Sequence, residues 1–135
     1  ERLGSDPKAE VARGLQKADA FRLCSKTAAS GDREGTPTVL IEAQAVGLPC
    51  VSTTHAGIPE MIPESNHALL APEGEVDAIA ERLRRLRACS DEELRGVSAA
   101  GREIIEISFS LSSEAGALRK IYERAVHDRE HATAS

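Results

Sequence analysis

Two carboxylates eight residues apart, Glu34 and Glu42, bracket the part of this sequence best suited to chemistry. Both lie in the block Gly31–Thr53, GDREGTPTVLIEAQAVGLPCVST. Glu34 closes a polar loop. Glu42 sits inside Thr38–Val46, a stretch apolar nearly all round apart from Glu42 and Gln44, which reads as a buried helix. An unpaired buried charge costs several kcal/mol, so Glu42 is expected to need partners there. Between the acids, Gly35-Thr36-Pro37-Thr38 is a loop-to-helix junction. The amides of Thr36, Thr38 and Val39 are expected to point where the helix dipole favours an anion, while Pro37 has no N–H to give. A diphosphate seated at this helix start, with one acid on each side, would put Glu42 near a ribose and Glu34 near a sugar. Vicinal hydroxyls donate in pairs to carboxylates, which suits both tasks.

The elements that must hold this block alternate. Ser5–Ala18 reads as a helix, capped by Ser5 or Asp6, with Pro7 in its first turn and Val11, Leu15 and Ala18 on one face. Asp19–Ser25 is a predicted short strand, in which Arg22 is awkward for a central position. Lys26–Pro37 has loop chemistry throughout. Gly47 is placed to end the Thr38–Val46 helix in the left-handed conformation, and Pro49 stops its continuation. Cys50–Thr53 is a β-branched strand, Gly57–Glu60 a turn opening a brief helix to Ile62, and His67–Ala71 a third strand. From Glu75 the chain is helical, with Val76, Ile79, Ala80, Leu83 and Leu86 in one stripe. Ser90 with Glu93 forms a predicted capping box for a helix whose stripe is Leu94, Val97, Gly101, Ile104 and Ile105. Ser112 or Ser113 starts the last helix, with Leu118, Ile121, Tyr122 and Ala125 inward, and the polar tail after Val126 is expected to fray.

Such alternation predicts an α/β class: a Rossmann-like parallel sheet with helices on both faces. A doubly wound sheet needs more than three strands, so the chain reads as a domain whose first part is missing. The expected organisation is one partial domain over residues 1–126, closed by a helix over 109–126, then a disordered tail over 127–135.

Composition narrows the function classes. The 135 residues suffice for one domain with a real core. Phe21, Phe109 and Tyr122 are the only aromatics, so the core rests on Leu, Ile, Val and Ala, and base-stacking platforms are poorly supported. A net charge of −5 argues against nucleic acid as a partner. The three cysteines, Cys24, Cys50 and Cys89, form no C-x-x-C pair and fit a reducing compartment, with Cys24 and Cys50 expected as buried small residues. No apolar run suits a bilayer span and no signal peptide is visible, so a cytoplasmic location is the default.

The block around the two acids resembles the E-x7-E signature of retaining GT-B glycosyltransferases, particularly family 4 (group 1). The flanks match as well: Ala18–Phe21 (ADAF) before it, EAQAVGLPCVST from Glu42, then Ala56–Ile62 (AGIPEMI) and Leu69–Gly74 (LLAPEG). The closing pattern of Phe109, Leu118 and Tyr122 is similar too. The resemblance implies the C-terminal, nucleotide-sugar-binding lobe of such an enzyme, with retention at the anomeric carbon. It implies that Glu34 contacts donor-sugar hydroxyls close to the reacting carbon and that Glu42 binds the ribose. It also implies that Gly35, Thr36, Pro37, Thr38 and Val39 hold sugar and diphosphate, and that Gly4 and Ser5 border the nucleobase. Glu60 matches a later acid of mainly structural role. No metal or other cofactor is expected, the partner is a nucleotide-sugar donor, and the acceptor-binding N-terminal domain is missing from this chain. Alone it is expected to show little or no turnover, although the full protein could touch the inner face of a membrane. The alternatives are a nucleotide-sugar epimerase-like enzyme and a non-catalytic fragment or regulatory module. This chain departs from the family pattern at Cys24 (usually Pro), Arg22 (usually apolar) and Ala56 (usually Gly).

Other polar residues read as structural. His55 follows a strand end, where groups that act on ligands often sit, but is expected as a solvated turn histidine. His67, His127 and His131 lack ligand spacing. Arg82, Arg84, Arg85 and Arg87 read as a solvated helix face, with contact to anionic lipid as the other possibility.

Overall fold

A computed structural model describes residues 8–27 and 35–132. The readings that fall on Gly4, Ser5, Asp6, Pro7 and Glu34 therefore lie outside the described residues. Within them the order is α1 (Lys8–Lys17), β1 (Phe21–Leu23), α2 (Thr38–Ala45), β2 (Cys50–Thr53) and α3 (Ile58–Met61). A 3₁₀ helix (Glu64–Leu69) follows, then β3 (Leu70–Ala71), α4 (Val76–Arg87), α5 (Asp91–Ser108) and α6 (Leu111–Ala132). The three strands form one parallel sheet in the order β1-β2-β3, with Phe21 opposite Cys50 and Ser52 opposite Leu70. This is the α/β layering expected from the alternation, since parallel strands need crossovers that put helices on the faces.

The central strand shows how the layers divide. All four residues of β2 are buried, and its side chains alternate between two cores. Cys50 joins Leu15, Leu40, Ala43, Ile58, Met61 and Leu70 beneath α1, α2 and α3. Val51 joins Leu69, Ala71, Ile79 and Leu86 beneath α4, with Leu94 and Val97 of α5 packed at its edge. The hydroxyls that complete the strand do not reach water: Ser52 Oγ donates to Leu23 O at 2.8 Å and Thr53 Oγ1 to Ser25 O at 2.7 Å.

Helix ends follow local chemistry. Gly47 has φ +82, and its N–H donates to Gln44 O at 2.9 Å while Leu48 N–H donates to Ala43 O at 3.0 Å. That pair of bonds is a Schellman close, with Ala43 and Leu48 meeting in the core. Ser90 and Glu93 make the expected capping box. The last helix differs: Ser113 N–H donates to Ser110 Oγ at 3.2 Å, so the cap is Ser110 and not Ser112 or Ser113.

Several expectations change. β1 is shorter than Asp19–Ser25, and His67–Leu69 belong to the 3₁₀ turn, leaving only Leu70 and Ala71 in β3. His67 is drawn into that turn because its Nε2 lies 3.1 Å from Pro59 O and 3.0 Å from Ile62 O. Val76 and Leu83 leave the α4 stripe for solvent, whereas Arg82 is half-buried and donates from Nε to Leu70 O at 3.1 Å. Leu118, Ile121 and Tyr122 are exposed, since no described element packs along that side of α6, and the helix continues past Val126. Cys24 is exposed at the end of β1, while Cys50 is buried and burial pushes its thiol up to about 12. Among the described residues no helix is long and apolar enough to cross a membrane.

Candidate functional site

The helix between the two acids is not buried all round. Leu40, Ala43 and Gln44 face inward, whereas Thr38, Glu42 and Ala45 are exposed. Those three recur at helical spacing and form a solvent stripe. The stripe is hard to read in sequence because small or apolar Ala45 and Val46 occupy part of it.

The polar residue buried in α2 is therefore Gln44, not Glu42. Gln44 is 2% exposed and donates from Nε2 to Met61 O at 2.9 Å. A Cβ on Gly101 would lie 3.2 Å from Gln44 Oε1, so α5 crosses α2 closely at this amide. The Glu42 carboxylate has no hydrogen bond or ion pair among the described residues, and it shares the outer face with Thr38 one turn earlier. The expectation of a buried, partnered carboxylate is corrected: its helix turns it outward.

The start of α2 is uncapped. Pro37 is the N-cap residue, buried and without a side-chain hydrogen bond to the helix. Its carbonyl accepts from Leu40 N–H at 3.0 Å, and Gly35, Thr36 and Thr38 are exposed around it. Val39 is half-buried. The Thr38 and Val39 amides have no partner within the helix, and among the described residues no side chain caps them, which leaves them to an outside acceptor.

A second cluster gathers at the same edge of the sheet, beyond the carboxyl ends of the strands. His55 is wholly buried, and its Nδ1 lies 2.7 Å from Glu73 Oε1. Glu73 Oε2 accepts from Thr27 N–H at 2.9 Å and from Thr27 Oγ1 at 3.1 Å. The Thr27 amide and the His55 ring hold the Glu73 carboxyl down to about 2 from an ordinary 4.5. Glu73 is thus ionised, and His55 Nδ1 carries the proton it shares. His55 is not the solvated turn histidine the sequence suggested. Its neighbours in sequence are small and polar, and its buried ring pairs with Glu73, 18 residues away.

Ala56, next in the turn, has φ +44, a left-handed conformation that a Cβ disfavours by roughly 1–2 kcal/mol. Ala56→Gly is expected to stabilise the protein by about 0.5–1 kcal/mol, because glycine's greater unfolded entropy offsets part of the relief. A thermal melt should rise by roughly 2–6 °C. An unchanged or lower midpoint would show that the turn bears no strain there.

A pocket of about 280 Å³ lies on the α4 side of this edge, lined by Arg22, Cys24, Lys26, Thr53 and Gly74 among others. It is on the opposite face of the sheet from the start of α2, so the described residues do not join the two.

Fold and edge together define a parallel α/β domain that gathers its loops and helix starts at the carboxyl ends of its strands, where such sheets take ligands. The chain belongs to the family of glycosyl transferases group 1, whose profile matches residues 2–103. It is similar to the amylovoran biosynthesis glycosyltransferase AmsK of Erwinia amylovora, at 43% identity over 122 residues, covering 90% of this chain and 30% of that protein. The putative colanic acid biosynthesis glycosyltransferase WcaL of Escherichia coli K12 is 43% identical over 110 residues, covering 82% of this chain and 27% of that one. A GDP-mannose-dependent monoacylated alpha-(1-6)-phosphatidylinositol monomannoside mannosyltransferase of Corynebacterium glutamicum is 34% identical over 99 residues, covering 71% and 25%. The chain thus spans about 30% or less of the length of these relatives.

Proposed function

We propose that this chain supplies the donor-binding part of a retaining glycosyltransferase, which transfers a sugar from a nucleotide diphosphate sugar to an acceptor during polysaccharide or glycoconjugate assembly. Family membership supports the nucleotide-sugar donor. The observation that carries the reading further is the outer face of α2. An uncapped first turn opens beside Thr38, and the carboxylate of Glu42, unpartnered among the described residues, stands one turn along the same face. The diphosphate sits on the backbone from Gly35 to Val39, where the helix dipole and the N–H groups of Thr36, Thr38 and Val39 stabilise charge as the leaving group departs. Glu42 accepts the two ribose hydroxyls, and Glu34, just before Gly35, accepts hydroxyls of the sugar close to the reacting carbon. Gly4 and Ser5 border the base. The acceptor side comes from sequence outside the matched part, since most of each relative's length lies there. The names of two relatives point to exopolysaccharides as the product class.

Glu42→Ala tests the assignment cleanly because the side chain is exposed and, among the described residues, unpartnered. Loss of a charge-assisted pair of hydrogen bonds, each ~1.5–3 kcal/mol, is expected to weaken UDP-glucose or GDP-mannose binding at least tenfold. The melting midpoint should stay within about 1–2 °C, as expected for a surface change. A calorimetric titration in which the variant binds as tightly as the wild type sinks the ribose assignment. Wild-type protein that binds no nucleotide sugar sinks the whole reading.

A further inference from the structure

The cluster around His55 has no task in donor binding as set out above. Glu73 uses both carboxylate oxygens, one on the His55 ring and the other on the backbone and hydroxyl of Thr27. The three residues follow different strands: Thr27 comes four residues after β1, His55 two after β2, and Glu73 two after β3. The network therefore ties together the carboxyl ends of all three strands. It is also the only polar attachment of the His55 ring, because Nε2 is buried without a hydrogen-bond partner among the described residues.

The same turn touches the chain at a second place. His55 O accepts from Ile58 N–H at 2.9 Å, which sets the path of Ala56 and Gly57. Gly57 lies so close to the loop before α2 that a Cβ on it would stand 2.8 Å from Gly35 O. Thr27 is thus hydrogen-bonded to Glu73, and Gly35 rests on the turn that His55 anchors.

We propose that His55 and Glu73 are positioning residues of the donor site, forming with Gly57 a clamp that sets the Gly35 backbone in the loop before α2. This rests on the donor-binding reading. Neither residue touches the donor. Their effect comes through the placement of the Gly35 backbone, and small misplacements of such a group lose a large part of what it contributes. A purely structural role for the pair predicts a loss of stability and nothing selective for the donor.

The test uses variants that spare the core. Thr27→Val deletes one hydroxyl at an exposed residue and leaves the backbone bond to Glu73. Gly57→Ala adds only a methyl group at an ordinary φ of −80, against Gly35 O. Glu73→Ala removes the whole bridge, and Glu73→Gln restores one acceptor oxygen. Two quantities are measured in each: affinity for UDP-glucose or GDP-mannose by titration, and hydrogen exchange at the Thr27 and Gly35 amides. The expected result is donor binding weakened about fivefold or more in Gly57→Ala and Glu73→Ala, with a smaller loss in Thr27→Val and partial recovery in Glu73→Gln. Thr27 exchange should quicken about tenfold in Glu73→Ala while amides in the middle of α5 stay unchanged. If Glu73→Ala does not fold, Gly57→Ala and Thr27→Val carry the decision. Wild-type donor affinity in both of those overturns the proposal while leaving the donor-binding reading standing. Wild-type protein that binds no donor overturns the donor-binding reading instead, and the exchange rates then decide whether the clamp exists: unchanged rates at Thr27 and Gly35 refute it.

Discussion

Leu40→Ala is expected to lower the unfolding free energy by about 3–4 kcal/mol, read from the midpoint of a urea titration at unchanged slope. Leu40 is 0% exposed and belongs to the core beneath α2, where Ala43, Cys50, Ile58 and Met61 also meet. The loss combines the transfer free energy of the deleted methyl groups with the cavity left behind. The neighbours can collapse little, because they belong to a buried strand and two helices packed into the same core. Domains of this size are stable by only ~5–15 kcal/mol, so the change removes a large share. It also bears on function: α2 presents Glu42 and its open first turn from the opposite side of the same helix. A cost below about 1 kcal/mol would mean that the core repacks freely and does not hold α2 in place.

The second large effect comes from one heavy atom. Gln44→Glu keeps the shape of the side chain but exchanges a donor for an acceptor 2.9 Å from Met61 O. Buried beside Gly101 and facing the Met61 carbonyl, the new carboxylate would find ionisation strongly disfavoured. Its folded pKa must lie above the unfolded value of ~4.3. For an acid with a raised folded pKa, the native state holds the proton longer than the unfolded state does. Stability is then fully present below about 4.3 and declines as pH rises toward the folded value. The variant is thus expected to lie within about 1 kcal/mol of wild type at pH 4, where a protonated carboxyl can still donate to Met61 O. At pH 7 it should fall short by about 3 kcal/mol. Denaturant midpoints for both proteins at the two pH values decide it: a difference that does not grow with pH would mean that water reaches the side chain.

These two residues also show what sequence can and cannot disclose. The alternation of elements, the Gly47 close and the Ser90 capping box were legible because each depends on residues within a few positions of one another. The parallel α/β architecture followed from that order. The orientation of α2 was not legible. With Thr38, Ala45 and Val46 on its outer stripe, the helix offers no contrast of polarity to distinguish inside from outside, and only tertiary packing selects Gln44 over Glu42 for burial. His55 was misread for a related reason. Its partner Glu73 lies across a crossover, and nothing adjacent to either residue announces the pair. One signal did exist: both follow the ends of predicted strands, the place where the carboxyl ends of parallel strands converge. The α6 stripe of Leu118, Ile121 and Tyr122 reads as an inward face, yet periodicity alone does not supply the surface it would cover. Ala56, where a glycine was expected, marks in the structure a turn with a left-handed backbone.

The strands are three, four and two residues long, too short for the ladder between them to hold the domain rigid. Cohesion falls instead to single side chains that grip a carbonyl in the next layer: Gln44 on Met61, Asn66 on Val97, Arg82 on Leu70, Ser52 on Leu23 and Thr53 on Ser25. Apolar neighbours can trade places so long as volume is kept. A side chain reaching for one particular carbonyl has no such equivalent. In a library of variants, the intolerant positions of this fold would therefore include a handful of polar side chains that work as rivets between its layers, alongside the largest of its hydrophobes.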